Sequence, residues 1–467
     1  MCLVGPRGGF LSYQTSIHGQ WSSRMVFILA ATGATVGLGN IWKFPYLAGE
    51  YGGGAFVLVY LLCIAAIGFP VMVAEVAVGR RGRLSPINTL RSLSEIEGGS
   101  PRWVWAGGLG VLAGLLIGSF YSVIAGWALA YMFRAASGAF EHVTAQGIAS
   151  IFNNLITDPE RLLAWHTIFM VMTVAVLARG IRSGLERAVK LLVPGLLVML
   201  LVLIGYGAST GYLGQTFFFL FRPDFSSLSF AAVLEALGHA FFTLSLGMGA
   251  IMIYGSYLPR QVPIMRTSLL VVLLDTLVAL LAGLAIFSIA FAHELPVNSG
   301  PGLIFQTLPM AFGKMQAGGV FGGIFFLLLV FAAWTSAIAL LEPAVAWLIE
   351  SLNLQRVRAA VLTGFVAWLL GIVSLLSFSQ WAFSFEFAGM QKQHGLFDLF
   401  SILASGVLLP LGGLAVVLFT AWVMHRESVL DALGGDDGPG FRLWYFLVRY
   451  VAPVALVVVF LWVLGVM

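Results

Sequence analysis

Eight residues of the first long apolar segment, Gly33 to Asn40, combine three glycines with a threonine and an amide in the order GATVGLGN. Glycine in a helix interior costs roughly 1 kcal/mol relative to alanine, so this stretch is poor continuous helix. In lipid, a break in a helix is tolerated only where the freed backbone faces protein or a water-filled cavity. Carbonyls released there can bind a cation, and N–H groups can bind an anion. The stretch therefore predicts a binding site inside the membrane.

A second apolar segment carries the same anomaly, since Phe241 to Gly249 reads FFTLSLGMG and places hydroxyls and glycines at mid-depth. The two interrupted segments are five segments apart, which predicts an inverted repeat with substrate and ions at its interface. Glycines that only allow close helix packing would explain one such segment, but they do not explain two in matching positions.

The composition places these segments in a polytopic membrane protein, because 60% of the 467 residues are hydrophobic and 9% are charged. Eleven apolar windows, which we call spans 1 to 11, predict one helical membrane domain. They cover residues 24–47, 53–79, 104–135, 163–178, 188–207, 229–256, 265–292, 318–349, 358–378, 396–424 and 442–466.

Charge places the loops on the two sides of the membrane. Lys and Arg cluster after spans 2, 4, 6 and 8, so we expect those loops and the N-terminus to be cytoplasmic and the C-terminus extracytoplasmic. The other loops have turn-rich pieces at 153–160, 222–227 and 296–309. This distribution accounts for the net charge of +4 without a nucleic-acid partner. Cys2 and Cys63 suit neither a disulfide framework nor a thiolate metal site.

Four motifs, GLGNIWKFPY, EYGGGAF, FFTLSLGMGA and AAWTSAIALLEP, resemble those of the neurotransmitter:sodium symporters, specifically their bacterial LeuT/MhsT-like amino-acid branch. The resemblance covers nearly the whole chain from Trp21 onward. It implies an all-α, LeuT-type 5+5 inverted-repeat bundle in which spans 1 and 6 are broken at mid-membrane. The expected parts are a cytoplasmic segment (1–20), a first repeat (21–207, spans 1 to 5), a second repeat with extracellular loops (208–425, spans 6 to 10) and an additional span 11 (426–467).

The resemblance also implies two sodium sites, which suit a hard cation that prefers oxygen ligands. The first site has the carbonyls of Gly33, Val36 and Ala332 and the hydroxyls of Thr335 and Ser336. On residues alone, an adjacent Thr and Ser in an apolar helix are as often bonded to the preceding turn. The second site has the Thr35 carbonyl, the Asn40 amide, the Thr243 hydroxyl, Asp275 and the substrate carboxylate.

Asp275 departs from many relatives, which have Asn there. A charge deep in span 7 costs roughly 2.5–3.5 kcal/mol, so this carboxylate needs a sodium ion beside it or a proton on it. Chloride-dependent relatives balance charge with an anion, and some bacterial relatives do so with a carboxylate where this chain has Ala279. We therefore expect Asp275 to supply the negative charge and chloride not to be required.

The implied substrate is an α-amino acid. Its carboxylate would meet the N–H groups of Leu38 and Gly39 and the Tyr121 hydroxyl, and its ammonium would meet carbonyls near Ala34, Phe242 and Thr243. The side-chain pocket would be lined by Ile117, Phe242, Ser245, Met248, Ser336 and Leu340. Met248 stands where the leucine-selective pattern has Phe, and Met can re-pack around bulkier groups, which favours a hydrophobic or aromatic amino acid. Met248 as simple core filler is an equal alternative.

The gate residues are altered relative to the family pattern. On the outer side, Lys43 replaces the usual Arg. Ser401 occupies the usual Asp position, and Asp398 lies one turn before it. Lys lacks the bidentate fork of Arg, so a weaker or water-bridged gate is expected. Inside, Trp21, Tyr257 and Glu350 match the inner gate. His18 stands where Arg is usual, which predicts opening that is sensitive to pH.

Three further residues or pairs have predicted roles. Glu75 in span 2 is expected to bond the opened backbone of span 6. His239 replaces a frequent Gln and is either a hydrogen-bonded core histidine or a proton-sensitive element. Gly184 and Pro194 match the spacing that lets the inner half of span 5 unwind in some bacterial members, which would let water reach the first sodium site.

These observations predict a sodium-coupled importer of a hydrophobic or aromatic L-amino acid in the cell's inner membrane, and not an enzyme. The expected partners are the amino acid and the lipid bilayer, with the protein a monomer or a weak dimer. A redox or hydrolytic enzyme would need ligand clusters, whereas only His239 of the seven histidines lies clearly at mid-depth. Two alternatives stay open: a proton-coupled transporter that uses Asp275 and His239, and a ligand sensor on the same fold.

Overall fold

The computed structural model describes residues 16–295 and 302–466. Residues 1–15, which include Cys2 and most of the predicted N-terminal segment, lie outside the described residues, as do residues 296–301 of the predicted 296–309 loop.

Nine helices of this described part are long and apolar enough to cross a membrane. They are Gly54–Gly82 (span 2), Pro101–Ala136 (span 3), Pro159–Ala178 (span 4), Ile181–Ser209 (span 5), Ile264–Ala292 (span 7), Gly318–Leu352 (span 8), Arg356–Leu376 (span 9), Gly395–Val423 (span 10) and Pro439–Val463 (span 11). Span 1 is a bent pair, Arg24–Thr35 and Gly39–Glu50, whose halves meet at 56°. Span 6 is divided into Phe230–Thr243 and Ala250–Ser256. Together they give the eleven predicted spans, with both predicted breaks.

The contacts between spans are equivalent in the two halves of the chain. When each of spans 1 to 5 is exchanged with the span five places later, every contact described below becomes another observed contact. Span 2 packs on the second half of span 6, and span 7 packs on span 1. Span 5 packs on span 8, and span 10 packs on span 3. Spans 3 and 8 pack on each other at the centre, and spans 4 and 9 pack on each other outside them. This pattern is the one expected of two structurally equivalent halves.

The two breaks have different local causes. In span 1 the helix ends at Thr35, because Val36 is extended with ψ 103°, and the chain resumes as a wide π-helical turn, Gly39–Lys43. In span 6 the chain passes through left-handed conformations at Ser245 (φ 54°), Gly247 (φ 79°) and Gly249 (φ 76°). A side chain at Gly247 would also collide with the Leu409 carbonyl of span 10, so glycine is required there both for conformation and for space.

The loops contain more regular structure than the turn-rich composition predicts. Short helices occupy Pro86–Ile96, Ala145–Ile156, Leu213–Phe221, Leu308–Lys314 and Arg426–Leu433, and a hairpin pairs Phe385–Phe387 with Met390–Lys392. Within the turn-rich piece 153–160, the break between helices is short, because one helix ends at Ile156 and the next begins at Pro159. Pro309 likewise lies inside a helix, at a position in the first turn where proline is tolerated.

The loops after span 2 and after span 10 meet on the side of the membrane where His18 and Glu350 also lie, which we call the inner face. Glu97, at the end of the Pro86–Ile96 helix, is only 7% exposed. Its Oε2 accepts hydrogen bonds from the backbone N–H of His425 (3.0 Å) and from His425 Nδ1 (2.6 Å). Arg81 Nη2 lies 3.4 Å from Oε1. The buried carboxylate thus joins the two loops.

Burial opposes ionisation of Glu97, but hydrogen bonds from His425 and Ser428 and the charge of Arg81 outweigh it, so the pKa of Glu97 lies below its usual 4.5. A depressed pKa contributes stability above the unfolded-state value, and this contribution is lost as pH falls through the folded-state value. We therefore expect the thermal midpoint to fall as pH drops below about 4.5, and Glu97→Gln to flatten that part of the profile. The measurement is the thermal midpoint of unfolding in detergent as a function of pH. Glu95→Gln, which changes an exposed neighbour, should show the same dependence of the midpoint on pH as the wild type. The same dependence in Glu97→Gln would contradict the assignment.

Candidate functional site

A cavity lies between the two breaks, and its empty space of about 340 Å³ includes space that is open to solvent. Spans 1, 3, 6 and 8 all contribute to its wall. The lining residues are Thr35, Gly37, Gly39, Ile117, Tyr121, Phe242, Thr243, Ser245, Met248, Ser336 and Leu340.

The structure brings together the residues predicted to bind substrate, and two of them take part through the backbone. The Leu38 N–H donates to the Tyr121 hydroxyl over 3.0 Å. The Ala34 carbonyl accepts from the Ser245 hydroxyl over 2.9 Å. Gly37 also lines the cavity but was missed by the sequence analysis. Gly37 lies in the glycine-rich stretch between Val36 and Leu38, which were both predicted ligands, and this position could have identified it from the sequence.

The cavity is polar at one end and apolar at the other. At the polar end, the Leu38 N–H of span 1 points at the hydroxyl of Tyr121, which is buried. At the apolar end are Ile117, Met248 and Leu340, all buried. This distribution suits a ligand with an anionic group next to span 1 and a hydrophobic side chain directed toward spans 3, 6 and 8.

Asp275 lies in span 7 beside the cavity and is fully buried. Asn40 Nδ2 donates to its Oδ1 over 2.9 Å, and the Thr243 hydroxyl donates to its Oδ2 over 3.3 Å. Asn40 Oδ1 accepts from the Gly37 N–H over 3.0 Å, so the amide links the carboxylate to the broken backbone. No lysine, arginine or histidine of the described chain forms an ion pair with Asp275.

The second cluster of oxygen atoms joins span 1 to span 8. The Ser336 hydroxyl lies 3.4 Å from the Gly33 carbonyl and 3.2 Å from the Val36 carbonyl. The Thr335 hydroxyl lies 3.1 Å from both the Ala332 and the Phe331 carbonyls of its own helix. All five predicted ligands of the first sodium site are therefore neighbours, while Thr335 also makes the local bond that an apolar helix favours.

Glu75 is also fully buried, and its Oε1 accepts from the Gly247 N–H over 2.6 Å. This bond satisfies a backbone donor that the broken span 6 leaves free. Glu75 thus fixes the conformation of span 6 next to the cavity, in the role that the sequence analysis expected.

Two histidines differ from the sequence expectation. His239 is fully buried between Phe44 and Tyr60, with ring centroids 6.1 and 5.5 Å away. Neither of its ring nitrogens has a hydrogen-bond partner in the described chain, so it is not a hydrogen-bonded core histidine. His166 in span 4 is also fully buried, so His239 is not the only histidine at depth; it bonds Ser122 and the Trp368 carbonyl. Spans 3 and 9 pack on span 4 and cover His166.

The predicted outer gate residues do not pair with each other. Lys43 Nζ lies over the Phe242 ring at 5.5 Å from its centroid. Asp398 instead accepts from the backbone N–H of His394 over 2.8 Å. A cation–π contact thus ties the outer half of span 1 to the cavity wall where an ion pair was considered.

The inner gate residues are assembled. His18 Nε2 lies 2.8 Å from Glu350 Oε1, and both side chains are almost completely buried. The Trp21 N–H and the Tyr257 carbonyl bond over 3.0 Å, and the Trp21 indole donates to the Tyr254 carbonyl. The start of span 1 therefore closes the cavity toward the inner face.

Span 5 also contacts the start of span 1. The Ser22 backbone N–H and hydroxyl donate to the two carboxylate oxygens of Glu186 over 2.8 and 2.9 Å. Glu186 directly follows a π-helical turn, Ile181–Leu185, where Gly184 packs against the Val176 carbonyl of span 4 without room for a side chain. Pro194 lies inside the helix that follows. Release of span 1 would therefore remove a contact from the weakest turn of span 5.

Glu350 carries much of the inner closure, because its carboxylate also accepts from the Ser85 N–H and hydroxyl and from Asn88 Nδ2. We expect Glu350→Ala to open the inner side more often. The probe is a cysteine introduced by Ser256→Cys, at a buried position, in a background that carries Cys2→Ser and Cys63→Ser. With Glu350→Ala added, this cysteine should react with a thiol reagent about tenfold faster than in the parent, which is the factor for a shift of about 1.4 kcal/mol. The exposed Glu427→Ala should leave the rate unchanged; equal rates in Glu350→Ala and its parent would contradict the gate.

The model of the sodium:neurotransmitter symporter family matches residues 18–146 and 150–467. An uncharacterized sodium-dependent transporter, YhdH of Bacillus subtilis (strain 168), is 35% identical over 451 residues, which cover 96% of this chain and 98% of YhdH. An uncharacterized sodium-dependent transporter of Haemophilus influenzae is 32% identical, over 94% of this chain and 97% of its own.

Among solved structures, the crystal structure of MhsT in complex with L-phenylalanine matches with a TM-score of 0.86 and 41% identity, over 95% of this chain and 99% of MhsT. The predicted LeuT-type fold and the predicted family are thereby confirmed. The chain belongs to the sodium:neurotransmitter symporter family, and it is a sodium-dependent membrane transporter rather than an enzyme.

Proposed function

We propose that this protein imports a hydrophobic or aromatic L-amino acid together with sodium ions, by alternating access to the cavity between spans 1 and 6. The observation that carries the proposal is the environment of Asp275. A fully buried carboxylate with only neutral donors around it needs a positive charge to remain ionised in the membrane. A sodium ion next to Asp275, Thr243 and Asn40 supplies that charge.

Two sodium ions are proposed as cargo. One binds next to Asp275 with the Thr35 carbonyl, where the substrate carboxylate completes its shell, so substrate and ion stabilise each other. The other binds between the Gly33, Val36 and Ala332 carbonyls and the hydroxyls of Thr335 and Ser336. This is the first sodium site of the sequence analysis, and it joins span 1 to span 8. An ion there therefore holds the two halves of the bundle in one arrangement. Chloride is not required, since Asp275 already provides the negative charge.

The amino acid is proposed to place its carboxylate at the Leu38 and Gly39 N–H groups and its side chain between Ile117, Met248 and Leu340. L-phenylalanine is the ligand of the similar protein MhsT, which supports an aromatic or large aliphatic side chain for this chain as well. Met248 can adapt its rotamer to such a side chain.

The cycle proposed for import has the described conformation, closed toward the inner face, as one of its states. Loading of sodium and substrate favours closure of Phe242 and Tyr121 over the cavity. Separation of His18 from Glu350, together with unwinding of span 5 near Gly184, then exposes the ion between spans 1 and 8 to water. Two charges moved inward gain roughly 5 kcal/mol per 100 mV, more than a thousandfold in concentration ratio.

The assembly proposed is a multi-pass protein of the inner membrane with a cytoplasmic N-terminus and an extracytoplasmic C-terminus, as a monomer or weak dimer. Its repeats are residues 21–207 and 208–425, followed by span 11. The distribution of basic loops supports this orientation.

Uptake of labelled tryptophan, tyrosine, phenylalanine and leucine into proteoliposomes tests the function. An inward sodium gradient should drive accumulation above equilibrium, and replacing sodium by choline should abolish it. Binding of these amino acids without accumulation would indicate a ligand sensor, and equal accumulation in choline would remove sodium coupling.

A proton-coupled transporter is the second candidate, and one observation favours it. His239 has no hydrogen-bond partner in the described chain, and it lies next to Tyr60 on the same side of the cavity as Asp275. In that case an inward proton gradient, with the lower pH outside, would drive uptake without sodium. Uptake that needs sodium at every pH gradient would exclude it.

A further inference from the structure

Arg449 lies in span 11, ten residues from its start at Pro439, and it is half-buried. No aspartate or glutamate of the described chain forms an ion pair with it. An unpaired cation in a membrane-spanning helix is unfavourable at the centre of the bilayer and becomes tolerable toward the headgroups. Its depth and its surroundings therefore decide what compensates its charge.

The depth of Arg449 follows from a contact with span 10. The Trp422 indole N–H donates to the Arg449 carbonyl over 3.2 Å. Arg449 lies in a π-helical turn, Leu447–Val451, and the α-helical donor to its carbonyl would be Pro453, which has no N–H, so the indole supplies a donor that the α-helical pattern cannot. Trp422 is one residue before the end of span 10 at Val423, on the inner face. Arg449 therefore lies at the level of the inner-face headgroups, where tryptophan and tyrosine are enriched.

Aromatic rings surround the guanidinium on the outside of the bundle. Its central carbon lies 4.6 Å from the Trp422 ring centroid and 5.8 Å from those of Tyr445 and Tyr450. Trp422 is 55% exposed and Tyr450 is 49% exposed, so this site opens toward lipid rather than toward the protein core. Rings of this kind hold the cation in place by cation–π attraction but do not neutralise it.

The guanidinium has unused hydrogen-bond donors. Nη1 donates to the Tyr445 hydroxyl over 3.4 Å, whereas Nε is buried and has no partner in the described chain. The other two arginines at this corner differ, since Arg426 and Arg442 both pair with Asp437, over 2.6 and 3.4 Å. Arg449 thus presents at headgroup depth a positive charge without an acidic partner, together with the remaining N–H groups of Nη1 and Nη2.

We propose that Arg449, with Trp422, Tyr445 and Tyr450, binds the phosphate of an anionic phospholipid from the leaflet at the inner face. Arginine matches phosphate because its planar donors can form two parallel hydrogen bonds. The acyl chains lie against span 11 on the side of Arg449 toward the membrane centre, where Val454 is 66% exposed. The net charge of the headgroup, rather than the phosphate alone, balances the unpaired cation.

Native mass spectrometry of the delipidated full chain, given equal amounts of phosphatidylglycerol and phosphatidylcholine, tests this site. The wild type should retain phosphatidylglycerol preferentially. Arg449→Gln should lower that preference roughly fivefold, as expected for one basic residue near anionic lipid. Arg442→Gln, which removes a neighbouring arginine already paired with Asp437, should keep it. Equal retention of both lipids by the wild type, or an unchanged preference in Arg449→Gln, would overturn the proposal.

Fluorescence quenching in nanodiscs provides a second readout that does not depend on the stability of the arginine variant. Lipids brominated near the headgroup end of the acyl chain quench nearby tryptophan, and the difference between wild type and Trp422→Phe isolates the signal of Trp422. Brominated phosphatidylglycerol, diluted in unlabelled phosphatidylcholine, should quench Trp422 several-fold more than brominated phosphatidylcholine at the same fraction. Equal quenching by the two lipids would mean that the site takes any lipid, which contradicts the proposal.

Discussion

Asp275→Asn is expected to weaken the apparent sodium affinity for amino-acid uptake by about a hundredfold or more. The substitution keeps the shape of the side chain but removes the charge that a buried cation needs, and loss of one partner of a buried pair costs about 3–5 kcal/mol. The new amide keeps one oxygen that can accept from Asn40 Nδ2, and its N–H group can donate to the Thr243 hydroxyl, so the loss reports on charge rather than on packing. The measurement is uptake against sodium concentration in proteoliposomes.

The matched control is Asp158→Asn, which changes a half-buried carboxylate at the start of span 4, paired with Arg161, to a residue that caps a helix equally well. Its sodium dependence should equal that of the wild type. In the wild type, replacing chloride by gluconate should leave uptake unchanged, because Asp275 supplies the negative charge. Loss of uptake in gluconate, or a normal sodium affinity in Asp275→Asn, would contradict this role.

Gly37→Ala is expected to abolish binding of the amino acid while leaving the protein folded. A Cβ at this position would lie 2.7 Å from both the Ser336 and the Tyr121 hydroxyl oxygens. Those two groups cannot both move aside without breaking the contacts of Ser336 with the Gly33 and Val36 carbonyls or of Tyr121 with the Leu38 N–H. The added methyl group also occupies the polar end of the cavity, so affinity should fall at least about a hundredfold, the factor for 2.7 kcal/mol.

Equilibrium binding of labelled phenylalanine in detergent, with and without sodium, measures this effect. Gly108→Ala is the control, because Gly108 lies in the helix of span 3 and a Cβ there meets no atom within 4 Å. It should bind normally and be slightly more stable, since alanine favours a helix over glycine. Near-normal binding by Gly37→Ala would mean that the ligand lies elsewhere.

The sequence predicted the architecture well because its strongest signals are long apolar spans and glycine-rich interruptions. Span 1 and span 6 break where Gly37 and Gly247 lie, and the family motifs lie at the same places. Residues that share a motif, such as Thr335 and Ser336, could also be placed relative to Gly33 through the resemblance, and the structure brings them together.

Contacts between distant segments could not be read in the same way. The partner of Glu186 is Ser22, 164 positions away, and nothing in either local pattern indicates the other. The burial of His166 depends on the packing of spans 3 and 9 on span 4, and the unpartnered state of His239 depends on which rings pack around it. The short loop helices were missed because they are stabilised by packing on the bundle rather than by their own sequence.

The coupling ratio tests the central claim most directly, because the proposal places two sodium ions and one amino acid at the interface of the repeats. Parallel uptake of ²²Na⁺ and labelled phenylalanine into proteoliposomes, at a clamped membrane potential, measures the ratio of the two initial rates. The account predicts about two sodium ions per amino acid, and about one in a Ser336→Ala variant that weakens the site between spans 1 and 8. Phenylalanine uptake without any sodium flux, or a ratio that Ser336→Ala does not change, would contradict it.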